Sequence, residues 1–95
     1  MQPVLLITGA SRGIGAATAR LAAERGHAVC VNYRRDADGA QALVREIEAT
    51  GGCAIAVQAD VAIEADVVRL FETVDAQLGT LTGLVNNAGV LERQG

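Results

Sequence analysis

Short apolar runs alternate along the chain with longer segments whose apolar residues recur every three or four positions. Val4-Leu5-Leu6-Ile7 is a continuous run of strand length, and Pro3 at its head suits a first strand residue that need not donate to a ladder. After Gly9, Gly13 and Gly15, the apolar positions Ile14, Ala17, Leu21 and Ala22 form the inward stripe of a helix, with Gly26 placed as its C-terminal stop. Ala28-Val29-Cys30-Val31 predicts a second buried strand. Asp36 or Asp38 then caps a helix that turns Leu43 and Ile47 inward before Gly51-Gly52. Cys53 to Ala59 predicts a third strand. Val67, Leu70, Phe71, Val74 and Leu78 predict a third helix stopped by Gly79, and Leu84-Val85 opens a fourth strand.

Strand starts near residues 4, 28, 54 and 81 repeat at 24 to 27 residues. No LxxLxL pattern recurs within that interval, and each unit has room for a full helix, so a leucine-rich solenoid is excluded. Right-handed β–α–β crossovers and a parallel sheet fit instead, giving an α/β fold. One local rule is broken. Ala62 stands where a capping side chain would stabilise the third helix by about 1 kcal/mol, and Glu64 and Asp66 recover part of that through the helix dipole, so a frayed start is expected there.

Composition narrows the picture further. Of 95 residues 51% are apolar, and the formal net charge is −3, which is neither the low hydrophobicity nor the high charge of a disordered chain. No apolar run approaches the ~18 residues of a membrane span, and no positively charged segment precedes Val4, so a cytoplasmic protein without a signal peptide is expected. The acidic balance, with no basic run longer than Arg34-Arg35, gives no footprint for nucleic acid or anionic lipid. Cys30 and Cys53 lack metal-ligand or redox spacing and read as small buried hydrophobes. His27, beside Gly26, reads as a turn residue, and no cluster has the spacing of a metal site. The chain has no Lys, one Ser (Ser11) and one Tyr (Tyr33), so chemistry needing a distal Ser, Tyr or Lys cannot be completed within it.

The chemically informative segment is Thr8-Gly9-Ala10-Ser11-Arg12-Gly13-Ile14-Gly15, set between a buried strand and an amphipathic helix. Gly9 permits a tight turn out of the strand, and Gly13 permits close approach of backbone to a ligand. Gly15 lets the helix lie close on the sheet, an approach that Ala16, Ala17 and Ala19 extend. Free N–H groups at such a helix start suit a pyrophosphate.

The spacing is TGxxxGxG rather than GxGxxG. Together with Asp60-Val61 and Asn86-Asn87-Ala88-Gly89, it resembles the short-chain dehydrogenase/reductase family over Val4 to Val90, most closely the bacterial branch that includes oxoacyl-carrier reductases and sugar dehydrogenases. The resemblance implies a Rossmann-type doubly wound parallel sheet, here its first four strands and three helices in the order 3-2-1-4. Residues 1–95 are then the N-terminal NADP-binding part of a single domain that continues past Gly95. It also implies cofactor contacts from Gly9, Ser11, Arg12, Gly13, Ile14 and Gly15, from Asp60 and Val61 to adenine, and from Asn87, Ala88 and Gly89 to ribose. Asp60 could equally serve only as a cap, and Asn86 could brace strands rather than touch the cofactor. Thr82 and Gly83 replace the Asp and aliphatic residue common before the last motif, a departure expected to weaken the strand slightly.

A preference for NAD calls for an acid about 20 residues past the loop glycines, and Asn32-Tyr33-Arg34-Arg35 at that distance holds none. Guanidinium groups there would pair with a 2′-phosphate, and Arg12 approaches from the loop side. NADP(H) is therefore expected over NAD, with Arg34 and Arg35 as ligands; Arg35 is the one that a solvated face would also explain.

The family moves a hydride between nicotinamide and a carbonyl or alcohol carbon, using a Ser, a Tyr and a Lys that lie beyond the NNAG motif. The segment alone is thus expected to be inactive, with substrate bound by the remaining part. Its fourth-strand edge is expected to pair with the rest of the protein or another chain, within a homo-oligomer. A non-catalytic NAD(P)-binding sensor or scaffold is the alternative. An S-adenosylmethionine site fits poorly with basic residues after the second strand.

Overall fold

The computed structural model describes residues 2–87. Its elements run β1 (Val4–Ile7), α1 (Gly13–Glu24), β2 (Ala28–Tyr33), α2 (Ala37–Ala49), β3 (Cys53–Gln58), α3 (Glu64–Gln77) and β4 (Gly83–Val85). The sheet order is β3-β2-β1-β4, and every pairing is parallel. The chain therefore steps outward from β1 through β2 to β3, then crosses back to place β4 on the other side of β1. This is the Rossmann-type arrangement, and the reversal leaves a crevice beyond the carboxyl ends of β1 and β4.

Both faces of the sheet are covered, which explains why its strands read as continuous apolar runs. On one face Ile7, Val29, Val31 and Ala54 pack against α1 and α2, through Ala16, Ala19, Ala40, Leu43 and Ile47. On the other, Val4, Leu6, Ala28, Cys30 and Val57 pack against Leu70 and Val74 of α3. Successive residues of β1 and β2 thus alternate between two cores, as the pleat requires.

The structure rotates α1 relative to the stripe expected from Ile14, Ala17, Leu21 and Ala22. Its buried residues are Gly15, Ala16, Ala19 and Ala22, while Ile14 is 77% exposed and Leu21 and Ala17 lie outside the core. Small residues win the inward face because the helix lies too close to the sheet for a leucine. In α3, likewise, Phe71 is exposed and only Leu70 and Val74 are buried.

The first turn of α3 also differs from expectation. Its N-cap is Ile63, one position past Ala62, and no side chain caps it. Asp60 organises the preceding turn instead: Oδ1 accepts from Ala62 N–H at 2.9 Å, and its carbonyl accepts from Ile63 N–H at 3.0 Å. For α2, the cap is Asp36 rather than Asp38, accepting from Gly39 N–H at 2.9 Å. β4 starts at Gly83, and Thr82 anchors it more firmly than its departure from the family pattern suggested. The Thr82 hydroxyl accepts from Val4 N–H at 2.8 Å and donates to Val4 C=O at 2.9 Å.

Cys30 is fully buried and Cys53 half-buried, both as free thiols. Burial pushes the Cys30 thiol up from 9.0 to about 12. Between those two values the folded state keeps a proton that the unfolded chain has lost, so stability falls as pH rises through that window. The expected slope is at most about 1.4 kcal/mol per pH unit. Denaturant unfolding from about pH 8 to about pH 11 should show this alkaline loss in the native sequence and a shallower one in Cys30→Val. Equal slopes in the two proteins would refute the assignment.

Candidate functional site

The β1–α1 loop is shaped by its glycines. Gly9 and Gly13 take positive φ values of 59° and 65°, a region that side chains avoid. At Gly13 no atom lies within 4 Å of where a Cβ would stand, so the loop keeps open space in front of its backbone. Gly15 is the opposite case. A Cβ there would lie 2.9 Å from Ala10 Cα, 2.9 Å from Gly9 O and 2.8 Å from Asn87 Nδ2, so only glycine lets α1 begin against the loop.

The loop is fastened at two points by asparagines. Asn32, the penultimate residue of β2, is buried, and its Oδ1 accepts from Gly9 N–H at 3.2 Å. Its Nδ2 donates to the carbonyls of Val57 at 3.3 Å and Ala59 at 3.2 Å, and its own carbonyl accepts from Ala10 N–H at 2.9 Å. From the other side, Asn87 Nδ2 donates to Gly9 O at 2.9 Å. Asn86 Oδ1 accepts from the Thr8 hydroxyl at 3.3 Å, which ties the end of β4 to the end of β1.

A cavity of about 690 Å³ opens over this loop, at the carboxyl ends of β1 and β2. Gly9, Ser11, Arg12, Gly13 and Ile14 line it from the loop, Arg34 and Arg35 from the end of β2, and Asn87 from beyond β4. Residues some 20 positions apart in the chain thus meet around one space. The start of α1 faces the cavity with Arg12 as its N-cap, no side-chain cap and no acidic residue in its first turn. Uncapped N–H groups, an open approach at Gly13 and three guanidinium groups fit the pyrophosphate of a dinucleotide.

Not every expected residue reaches that space. Gly15 is buried beneath the loop and acts by permitting packing. Asp60 and Val61 do not line the cavity. Val61 packs against the α3-side core, and Asp60 Oδ2 lies 3.5 Å from Arg34 Nε, so two expected cofactor ligands face each other. Ala88 and Gly89 lie outside the described residues.

Three residues of this site were not singled out from the sequence as its parts. Tyr33 and Asp36 line the cavity, and Asn32 holds its floor. The signal for Asn32 was a polar residue breaking an otherwise apolar β2, since a buried amide must find partners. Among the described residues, no group of His, Cys, Asp or Glu could hold a metal ion, and no helix is long and apolar enough to cross a membrane.

Fold and site together define a nucleotide-binding α/β protein. A family model for short chain dehydrogenases matches residues 3–95, and the chain belongs to that family of oxidoreductases, whose members bind nicotinamide dinucleotide. It is 45% identical over 91 residues to the uncharacterized oxidoreductase YgfF of Escherichia coli, covering 96% of this chain and 37% of that protein. It is 51% identical over 87 residues to a 3-oxoacyl-(acyl-carrier-protein) reductase of Synechocystis, covering 92% and 35%. A short-chain dehydrogenase/reductase from Serratia marcescens superposes with a TM-score of 0.86 at 36% identity, over 90% of this chain and 35% of that one. The chain spans roughly a third of the length of these relatives.

Replacing Asn32 tests the loop's anchorage. Asn32→Ala strips a hydrogen bond from Gly9 N–H and one from each of two carbonyls, and should cost about 2–3 kcal/mol in denaturant unfolding. Asn32→Asp keeps the acceptor but, ionised, cannot donate to Val57 and Ala59, and should be destabilised as well. Native-like stability in both variants would show that Asn32 does not hold the loop.

Proposed function

We propose that the chain is the cofactor-binding half of an NADP(H)-dependent oxidoreductase acting on a carbonyl or alcohol substrate. The observation that carries this is the charge of the cavity: among the described residues, Arg12, Arg34 and Arg35 line it with a single carboxylate, Asp36, whose side chain caps α2. A 2′-hydroxyl gains from an acceptor at the end of β2. A 2′-phosphate gains from cations and loses from a free acid, and this site offers the cations. The bound cofactor supplies the hydride; the residues of this chain cradle its phosphates, on the uncapped start of α1 and the guanidinium groups. Substrate binding and proton transfer belong to sequence following the Asn86-Asn87 motif, so the 95-residue chain by itself turns over no substrate. Two free thiols support a reducing, cytoplasmic setting.

Fluorescence titration with NADPH and NADH tests the cofactor. NADPH should bind more tightly, and Arg34→Ala should weaken it by about 10-fold, a value discounted for an exposed side chain, with much less effect on NADH. A preference for NADH that survives Arg34→Ala would overturn the reading.

The outer edge of β4 carries the partner proposal. Among the described residues β4 is hydrogen-bonded to β1 alone, and Leu84 on it is 53% exposed, in a sheet whose inner strands are covered on both faces. Such an edge invites a further strand, from the rest of the protein or from another chain in a homo-oligomer. Prepared as 95 residues, the chain should self-associate in light scattering. A monodisperse, cooperatively unfolding monomer would count against the proposal.

A further inference from the structure

The ends of β2, β3 and α3 are tied into a closed circuit of polar contacts. Gln58 Nε2 donates to Arg34 C=O at 3.1 Å, and Arg34 Nε lies 3.5 Å from Asp60 Oδ2. Asp60 N–H donates to Asp66 Oδ2 at 2.9 Å, Asp66 Oδ1 pairs with Arg69 Nη2 at 3.7 Å, and Arg69 Nη2 returns to Gln58 C=O at 2.8 Å. Asp60 is the member whose geometry is most determined. Oδ1 is engaged by Ala62 N–H and the backbone N–H by Asp66, which leaves Oδ2 turned to Arg34.

Arg34 therefore belongs to two places at once. It lines the cavity, yet both its backbone carbonyl and its Nε are held from outside the cavity by residues that do not line it. A guanidinium has five N–H donors; with Nε against Asp60, the four on Nη1 and Nη2 remain for an anion. An unbraced arginine must give up rotamer freedom when it grips a phosphate, whereas a braced one has given up part of it beforehand.

We infer that Asp60 is a positioning residue for Arg34, and that it thereby sets the preference for a 2′-phosphorylated over a 2′-hydroxyl nucleotide. The inference rests on the cavity being an NADP(H) site. It makes a claim that other roles of Asp60 do not make. A contact to adenine weighs equally on both nucleotides, because the base is common to them. A carboxylate acting only through its charge would repel the 2′-phosphate, so its removal would sharpen the preference for the phosphorylated form. Positioning alone makes removal of the carboxylate blunt that preference.

The test is the ratio of the NADH to the NADPH dissociation constant, by titration of the protein expressed at its full natural length. Asp60→Asn retains an acceptor for Ala62 N–H and removes the charge facing Arg34. The ratio should fall about two- to five-fold, the range for one exposed ion pair. Gln58→Met releases the Arg34 carbonyl without altering any charge, and should lower the ratio in the same direction. A partly unfolded variant raises both constants by one factor and leaves the ratio intact, so the readout does not depend on folding. An unchanged or increased ratio in Asp60→Asn overturns the inference alone. An unsubstituted protein that shows no preference for NADPH overturns the cofactor reading, and the inference with it.

Discussion

The contact on which the site depends occurs where no side chain exists. A Cβ on Gly15 would stand 2.9 Å from both Ala10 Cα and Gly9 O, so α1 can begin over the loop only with glycine there. Most of the site's form follows from this contact. It sets the rotation of α1, which turns Ala16, Ala19 and Ala22 onto the sheet and sends Ile14 out to the cavity wall. It also requires the inward face of α1 to be made of small residues, since a leucine would hold the helix off the sheet. The alanine content of the chain is in this sense a property of the site as much as of the core.

A loop of this kind contributes to binding only if it is stiff before the ligand arrives, because ordering it afterwards would subtract from affinity. Stiffness comes from its neighbours. Asn32 fastens Gly9 and Ala10 to the ends of β2 and β3, and Asn87 fastens Gly9 to the end of β4. The glycine turn is thereby tied to strands on both sides of β1, the sheet's point of reversal. The contact between Asn87 and Gly9 spans 78 residues of sequence, so the loop is fastened on that side only once β4 lies beside β1.

What the sequence disclosed and what it did not divide along physical lines. Element order, the parallel sheet and the glycine loop were legible, because each rests on local pattern: apolar runs, a 3.6-residue period, and glycine where backbone must turn. The face of α1 was not, because periodicity reports amphipathicity and this helix is selected for small size inward, with Ile14 and Leu21 left outside. The start of α3 lies one residue past Ala62, because Asp60 organises a turn over Ala62 and Ile63 that the local pattern did not reveal. Arg34 and Asp60 each stood out as candidates in the sequence, but their pairing did not, since it depends on how β3 meets β2 side by side. Asn32 was visible only as an interruption in β2, and its four partners become evident once the strands are aligned.

Electrostatics sets the start of α1 apart from the starts of its neighbours. In a parallel sheet with crossover helices, all three helices begin at the same end, and each presents a partial positive charge of roughly half an electron there. At α2 the Asp36 carboxylate accepts from Gly39 N–H, and Asp38 adds charge in the first turn. At α3, Glu64 and Asp66 occupy the first turn. Among the described helices only α1 starts with no acid in its first turn and no side-chain cap, and an arginine stands at its N-cap position. The first turns of α2 and α3 thus carry the chain's own carboxylates, and that of α1 carries none. The guanidinium groups of Arg12, Arg34 and Arg35 add to the field at that same end, which makes it, among the described helix starts, the one best suited to an anion.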